Sequence, residues 1–316
     1  MFFPRGGSAH VARALARELP AHDCEVTIVS GSGPPGSVGD ARRFYAGLDV
    51  RAVDFSAGDA PMQPSYEDRP DAPDRVFAAL DDEAYEEHVA AWATALEHAG
   101  VAEADLLHLH HLTPIHEAAR RVAPGVPVVG HLHGTELLML ERIADGPPPS
   151  WTHADAWAER MQGWAQSCER ILLLSRSQIE RARQVLAIDP NRYVIAPNGV
   201  DPLRFGPRAV DRPVFWQRVL VDEPHGWRPG ADEGSVAYRP EQAAAVAAGP
   251  VVISASRFTE VKRLPLLIRA FARAALPASL VLVGGYPGEW EGEHPYDTIA
   301  AVGADNVYLA GWHEHD

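Results

Sequence analysis

The sequence predicts an α/β protein of two doubly wound domains. Three observations carry that expectation. Short apolar runs alternate with amphipathic helical stretches along most of the 316 residues, as in stacked βαβ units whose parallel sheet is covered on both faces. The rhythm breaks over residues 207–249, rich in proline and glycine, and restarts at 250. The length suits two cores of ordinary size, and the 46% hydrophobic and 22% charged content is that of a globular protein. The predicted division is a first domain over 1–200, a connection over 201–249 and a shorter second domain over 250–316.

The chain opens on a loop, MFFPRGGSAH, with no strand in front of it. Ser8 is a candidate N-cap, and Val11, Leu15 and Leu19 then recur every four residues on one helical face. CEVTIVS (24–30) reads as a buried strand and DVRAVDF (49–55) as an alternating one. The proline- and acid-rich stretch 57–74 reads as a surface loop, and 75–99 as a helix anchored by Phe77, Leu80, Trp92 and Leu96. ADLLHLHH (104–111) is a strand, and TPIHEAARRVA (113–123) a helix with Thr113 as cap and Pro114 at its first position. VPVVGHLHG (126–134) is a strand running into a loop, TELLMLERIA continues as a helix, and a longer helix spans 151–167. ERILLLS (169–175) is the next strand, followed by a helix to about 187 and by RYVIAPNGVDP (192–202). Beyond the break come a strand at 250–258, a helix at 261–275, and strands at 279–285 and 306–312.

Composition excludes several functions. The formal net charge of −15, with no long Lys/Arg run, argues against nucleic acid as a partner. Cys24 and Cys168 stand far apart, so neither a disulfide framework nor a CxxC zinc knuckle is expected. No apolar run has membrane-spanning length, no basic amphipathic stretch invites membrane docking, and the first ten residues lack a signal peptide. The cytoplasm is therefore the expected compartment.

In a parallel α/β sheet, ligands sit beyond the C-terminal strand ends. Four such loops carry chemistry. In PRGGSA (4–9), Gly6 and Gly7 let backbone approach a ligand at a helix start that favours an anion. In SRFTEVKR (256–263), Arg257 and Lys262 can converge above the sheet edge, which suits a diphosphate. Cations at a helix start oppose its dipole unless an anion lies between them. HLHGTE (131–136) sets His131 and His133 on one face of a strand end, with Gly134 allowing a tight turn. LVGGYPGEWEGEHP (282–295) is a paired-glycine loop followed by carboxylates. HLHH (108–111) and HLH (131–133) place imidazoles two apart, as zinc ligands on a strand can be, yet no HExxH or HxxEH motif occurs and no metal is expected.

Taken together these segments resemble glycosyltransferase family 4, retaining enzymes of the two-Rossmann GT-B architecture. FFPRGGSAHVARALARELPAHDCEVTIVS is similar to the family's first loop, helix and second strand, and HLHGTE to its catalytic-histidine loop. YVIAPNGVDPLRF resembles the exit from the first domain, and ASRFTEVKRLPLLIRAFARA the donor-phosphate segment. The resemblance implies transfer of a sugar from a nucleotide-diphosphate sugar to an acceptor hydroxyl, of hexosyltransferase type. Gly6, Gly7, Arg257 and Lys262 would then bind the donor diphosphate, and His133 would hydrogen-bond the donor sugar beside the anomeric carbon. Asn198, with Gly199, would sit near the hinge in the donor's vicinity, and Gly284 and Gly285 under the nucleotide or sugar. The acceptor site is expected in the first domain near 57–74 and 135–145, with Thr135 and Glu136 on the acceptor side. Neither a cofactor nor a metal is implied, and no enzyme nucleophile is required.

Two departures from the family follow. Its members begin with an apolar strand before the PxxGG loop, and they continue past VYLAGWHEHD to an E-x7-E segment. The resemblance thus implies a piece of a longer transferase with an incomplete second domain, binding donor weakly and catalysing poorly. Alternatives are a degenerate, non-catalytic sugar-nucleotide-binding protein and a sugar-nucleotide 2-epimerase of the same architecture. A nicotinamide-dependent dehydrogenase fits less well, because RGGSAH lacks the third glycine of GxGxxG.

Overall fold

The computed structural model describes residues 4, 6–37, 39–54, 64–66, 75–203, 205–288 and 290–313. The loop expected over 57–74 thus lies almost wholly outside the described residues. The chain divides into two compact units, the first ending at Val200 and the second beginning at Asp201.

Unit 1 begins with α1 (Gly6–Glu18), β1 (Thr27–Ser32), α2 (Ala41–Phe44) and β2 (Asp49–Asp54). The first helix starts at Gly6, two residues before the expected Ser8 cap, because Gly6 takes φ +75° and turns the chain at once. Asp40 caps α2 by accepting from the Arg42 and Arg43 N–H groups. β1 and β2 pair in parallel, Thr27 opposite Asp49. Val29 and Val53 of this pair pack on the main core of the unit.

The rest of unit 1 alternates strictly. α3 (Asp82–His98), β3 (Leu107–His110), α4 (Ile115–Val122), β4 (Val128–His131) and α5 (Thr135–Asp145) are followed by α6 (Ala154–Ser167), β5 (Arg170–Leu173), α7 (Ser177–Leu186) and β6 (Tyr193–Ile195). Strands β3 to β6 form one parallel sheet in sequence order. The helix expected over 75–99 is broken: a 3₁₀ turn at Phe77–Ala79 precedes α3, whose N-cap Asp81 accepts from the Ala84 N–H. Pro114 takes the cap of α4, so the helix begins one residue later than the motif predicts. Trp92 and Trp157 are wholly buried, and the Trp157 Nε1–H donates to the Leu80 carbonyl at 2.8 Å. Burying an indole in this way contributes about 5 kcal/mol as an upper bound, and its one polar atom is matched.

Unit 2 contains α8 (Arg212–Gln217), continued by a π-helical turn at Arg218–Asp222, then α9 (Pro240–Ala248), β7 (Val251–Ala255), α10 (Leu264–Ala274), β8 (Ser279–Val283), α11 (Pro295–Val302) and β9 (Val307–Gly311). β7, β8 and β9 form a parallel sheet in that order. Alternation along its strands serves two separate cores. Leu280, Leu282 and Leu309 meet Ile268 and Phe271 of α10, while Val281, Tyr308 and Ala310 meet Trp216, Leu220 and Val246. The stretch 207–249 therefore does more than connect: its helices pack on one face of this sheet. No described helix is long and apolar enough to cross a membrane.

Candidate functional site

The chemistry of unit 1 gathers where β3 and β4 end. Parallel pairing sets His110 opposite His131, and side chains of paired residues share a face. His108, two residues earlier on β3, joins them. Rings stack across this face: His108 to His110 at 4.6 Å, His110 to His131 at 5.0 Å, and His131 to His133 at 4.5 Å between centroids. His108 Nε2 lies 3.2 Å from His131 Nδ1, and His110 Nδ1 lies 2.9 Å from His133 Nε2. Within each pair one neutral imidazole donates and the other accepts.

The His133 loop is fixed by a single carboxylate. Glu136, in the first turn of α5, is fully buried. It accepts from the Gly134 N–H at 2.9 Å and the His133 N–H at 3.2 Å, and its Oε1 is hydrogen-bonded to His111 Nδ1. It thus satisfies the N–H groups of the turn leading into α5, that of the N-cap residue Gly134 among them. Gly134 makes the turn at φ +102°. Burial pushes the Glu136 carboxyl up, but His111, His133 and the backbone donors together bring it down to about 2. Burial holds His133 down to about 3, so its imidazole is neutral at physiological pH.

Glu136, expected on the acceptor side, is fully buried and held by three donors, and it braces the His133 loop. Thr135 is half-buried, and its Oγ1 has no hydrogen-bond partner among the described residues. Gly6 and Gly7 are exposed at the first turn of α1, with open space where a Cβ would stand, so a ligand could reach their N–H groups. Asn198 and Gly199 are exposed in the coil after β6. No hydrogen bond among the described residues joins any of these four to the histidine group.

In unit 2 the turn after β7 carries Arg257, half-buried, and Lys262, exposed. Lys262 lies in a 3₁₀ turn (Glu260–Lys262) two residues before α10, not in the helix as expected, and has no side-chain partner among the described residues. The turn is braced from across the sheet. Glu291 N–H donates to the Phe258 carbonyl at 2.9 Å, and Glu260 N–H donates to Glu291 Oε2 at 3.1 Å. Gly284 and Gly285 follow β8 with φ +109° and +73°; a Cβ there would stand 2.3 Å from the Ser256 carbonyl oxygen and 2.6 Å from the Phe258 ring. They are buried beneath this turn and set its position. A cavity of about 310 Å³ opens beside it, lined by Thr259, Glu260, Arg263 and Arg269 among others, but by neither Arg257 nor Lys262.

Four residues of these sites carried no assignment from sequence: His110, partner of His133; His111, partner of Glu136; and Ser256 and Thr259. The last two have buried hydroxyl oxygens without a partner beside Arg257. The two-residue spacing gave each histidine its face, but nothing local in sequence says which strand lies alongside.

The family model described as Glycosyltransferase Family 4 matches residues 5–204. No curated protein matches the chain by sequence. Among solved structures, sucrose-phosphate synthase from Thermosynechococcus elongatus is similar at TM-score 0.61 and 14% identity, covering 99% of this chain and 67% of that one. Anabaena HepE in complex with UDP and glucose is similar at TM-score 0.57 and 15% identity, with the same coverage of 99% and 67%. A glycosyltransferase from Rickettsia africae is similar at TM-score 0.53 and 12% identity, covering 98% and 65%. At such identities these likenesses speak to fold alone, and the fold is that of the GT-B enzymes, with Rossmann-like parallel α/β units. With the family model spanning most of the chain, the conclusion is plain: the chain belongs to glycosyltransferase family 4.

Proposed function

We propose that this protein transfers a hexose from a nucleotide-diphosphate sugar to an acceptor hydroxyl with retention of anomeric configuration. One observation carries the reading: a neutral imidazole, His133, stands on a loop that Glu136 locks in place. Breaking a sugar–phosphate bond builds positive charge on the sugar and negative charge on the departing diphosphate. A neutral imidazole can hydrogen-bond a sugar hydroxyl beside the anomeric carbon without opposing that positive charge. The departing diphosphate needs fixed positive charge, which Arg257 and Lys262 supply in unit 2. Gly6 and Gly7 offer N–H groups to an anion at the start of α1 in unit 1. Asn198, Gly284 and Gly285 belong to the surroundings of the donor rather than to the reacting bond.

Retention is what membership of family 4 suggests. Glu136, the carboxylate that touches the His133 loop, is buried and held by three donors, so it is not available as a nucleophile. On this reading the acceptor hydroxyl attacks from the side on which the diphosphate departs. The transfer itself draws on neither an organic cofactor nor a divalent metal.

The complex of HepE with UDP and glucose makes UDP-glucose the first donor to try. Release of UDP is measured with a panel of nucleotide sugars and acceptors, and the anomer of the product is read by NMR. His133→Ala should lower turnover about 10²–10³-fold while leaving donor affinity nearly unchanged. Unaltered turnover in that variant sinks the site assignment. Donor binding without turnover, for every acceptor tried, favours a non-catalytic sugar-nucleotide-binding protein.

A further inference from the structure

The histidine face of unit 1 holds more imidazoles than sugar transfer needs. We propose that His108, His110 and His131 form a binding site for a divalent transition-metal ion of the zinc class. The proposed transfer uses only His133 from this group, and His133 meets the cluster through His110.

The sequence expectation of no metal rested on the absence of a helical zinc motif, but strands can supply the same donors. His110 and His131 are register partners and His108 lies two residues along the same face, so the peptide framework aims all three rings one way. One ligating nitrogen from each lies within 4.8 Å of the other two. Nitrogens bound tetrahedrally to zinc are about 3.3 Å apart, as bond lengths of about 2.0–2.1 Å require. His108 Nε2 and His131 Nδ1 are already 3.2 Å apart. Small rotations about side-chain bonds bring the third into range.

The cluster is also withdrawn from water, with His110 and His131 only 6% and 3% exposed. The set contains neither carboxylate nor thiolate. An all-imidazole set favours zinc, cobalt, nickel or copper over magnesium and calcium, which want oxygen ligands. A fourth imidazole, His133, stacks on His131 at 4.5 Å between centroids, next to the remaining coordination position.

The test begins with the unmodified chain, stripped with a chelator and then loaded with Co²⁺ or Zn²⁺. One equivalent of zinc per chain should survive gel filtration, and the cobalt form should show the visible absorption of a tetrahedral nitrogen site. His108→Ala and His131→Ala should each lose both signals. His313→Ala, which disrupts the half-buried His225–His313 pair of unit 2, should keep them. If the unmodified chain retains no more zinc than the His108→Ala/His131→Ala double variant, the site does not exist. An absent cobalt band on the unmodified chain overturns the proposal equally, and misfolding of a variant cannot mimic that result. Because the readout is bound metal, failure here leaves the transferase reading untouched, and failure of transfer leaves this one.

Discussion

The two units prepare their chemistry in opposite ways. In unit 1 the reactive groups are buried, neutral and tied to one another: His133 to His110, and its loop to Glu136. In unit 2 the cationic turn carries an exposed Lys262 with no partner among the described residues. Rings locked by their neighbours lose little freedom when a ligand arrives and can be placed accurately. A flexible lysine keeps its hydration and its entropy until an anion replaces them, so its contribution appears only on binding. Under the proposed function the lesson is a division of labour: accuracy is built into the histidine loop, and charge is held in reserve on the cationic turn.

That contrast can be broken by experiment. The largest expected effect is on donor binding. The Arg257→Ala/Lys262→Ala double variant should weaken it by about two to four decades, from two charge-assisted bonds of about 1.5–3 kcal/mol each. Calorimetry against UDP and UDP-glucose measures the loss. Glu136→Ala should do the reverse, costing about 3–5 kcal/mol of stability by stranding His111 and two backbone N–H groups. Denaturant unfolding checks this, and Glu136→Gln should cost less.

Acid should separate the units next. Burial holds His88 and His116 of unit 1, and His294 of unit 2, down to about 4. In the unfolded chain they titrate near 6.5, so the unfolded state binds more protons between those values. Stability is therefore whole above pH 6.5 and drains as pH falls towards 4, by about 3 kcal/mol for each such histidine. Hydrogen exchange between pH 7 and 4.5 should show unit 1 losing protection first; simultaneous loss contradicts the comparison. The smallest effect is expected at the brace of unit 2. Gly285→Ala forces a left-handed φ on a residue with a Cβ and presses on Phe258, costing about 1–3 kcal/mol. It should weaken donor binding modestly by displacing the Arg257 turn.

Much of the fold was legible in the sequence because periodicity is local. CEVTIVS, ERILLLS and SLVLVGG announced strands, and their alternation with helices announced a parallel sheet. The helices at 212–217 and 240–248 were hidden among prolines, since Trp216 and Val246 show their worth only against Val281 and Tyr308. α11 was hidden likewise, with no element expected over 296–302 although His294 caps a helix there. At the site, HLHGTE pointed to His133, but the role of Glu136 depends on His111, 25 residues away and itself at φ +64°. The histidine cluster needed the pairing register of β3 with β4, a tertiary fact that spacing along one strand cannot supply.

All strand pairs in the described sheets are parallel. No two neighbouring strands can then meet through a tight hairpin; each pairing waits for a crossover to close. Loop closure comes before the reward of contact, so folding should be slow for a chain of this size, with its apolar strands exposed meanwhile. The histidine face of unit 1 exists only once β3 has found β4. The chemistry of unit 1 thus depends on one crossover closing, and conditions that slow pairing should yield chains with their helices formed and this site unmade.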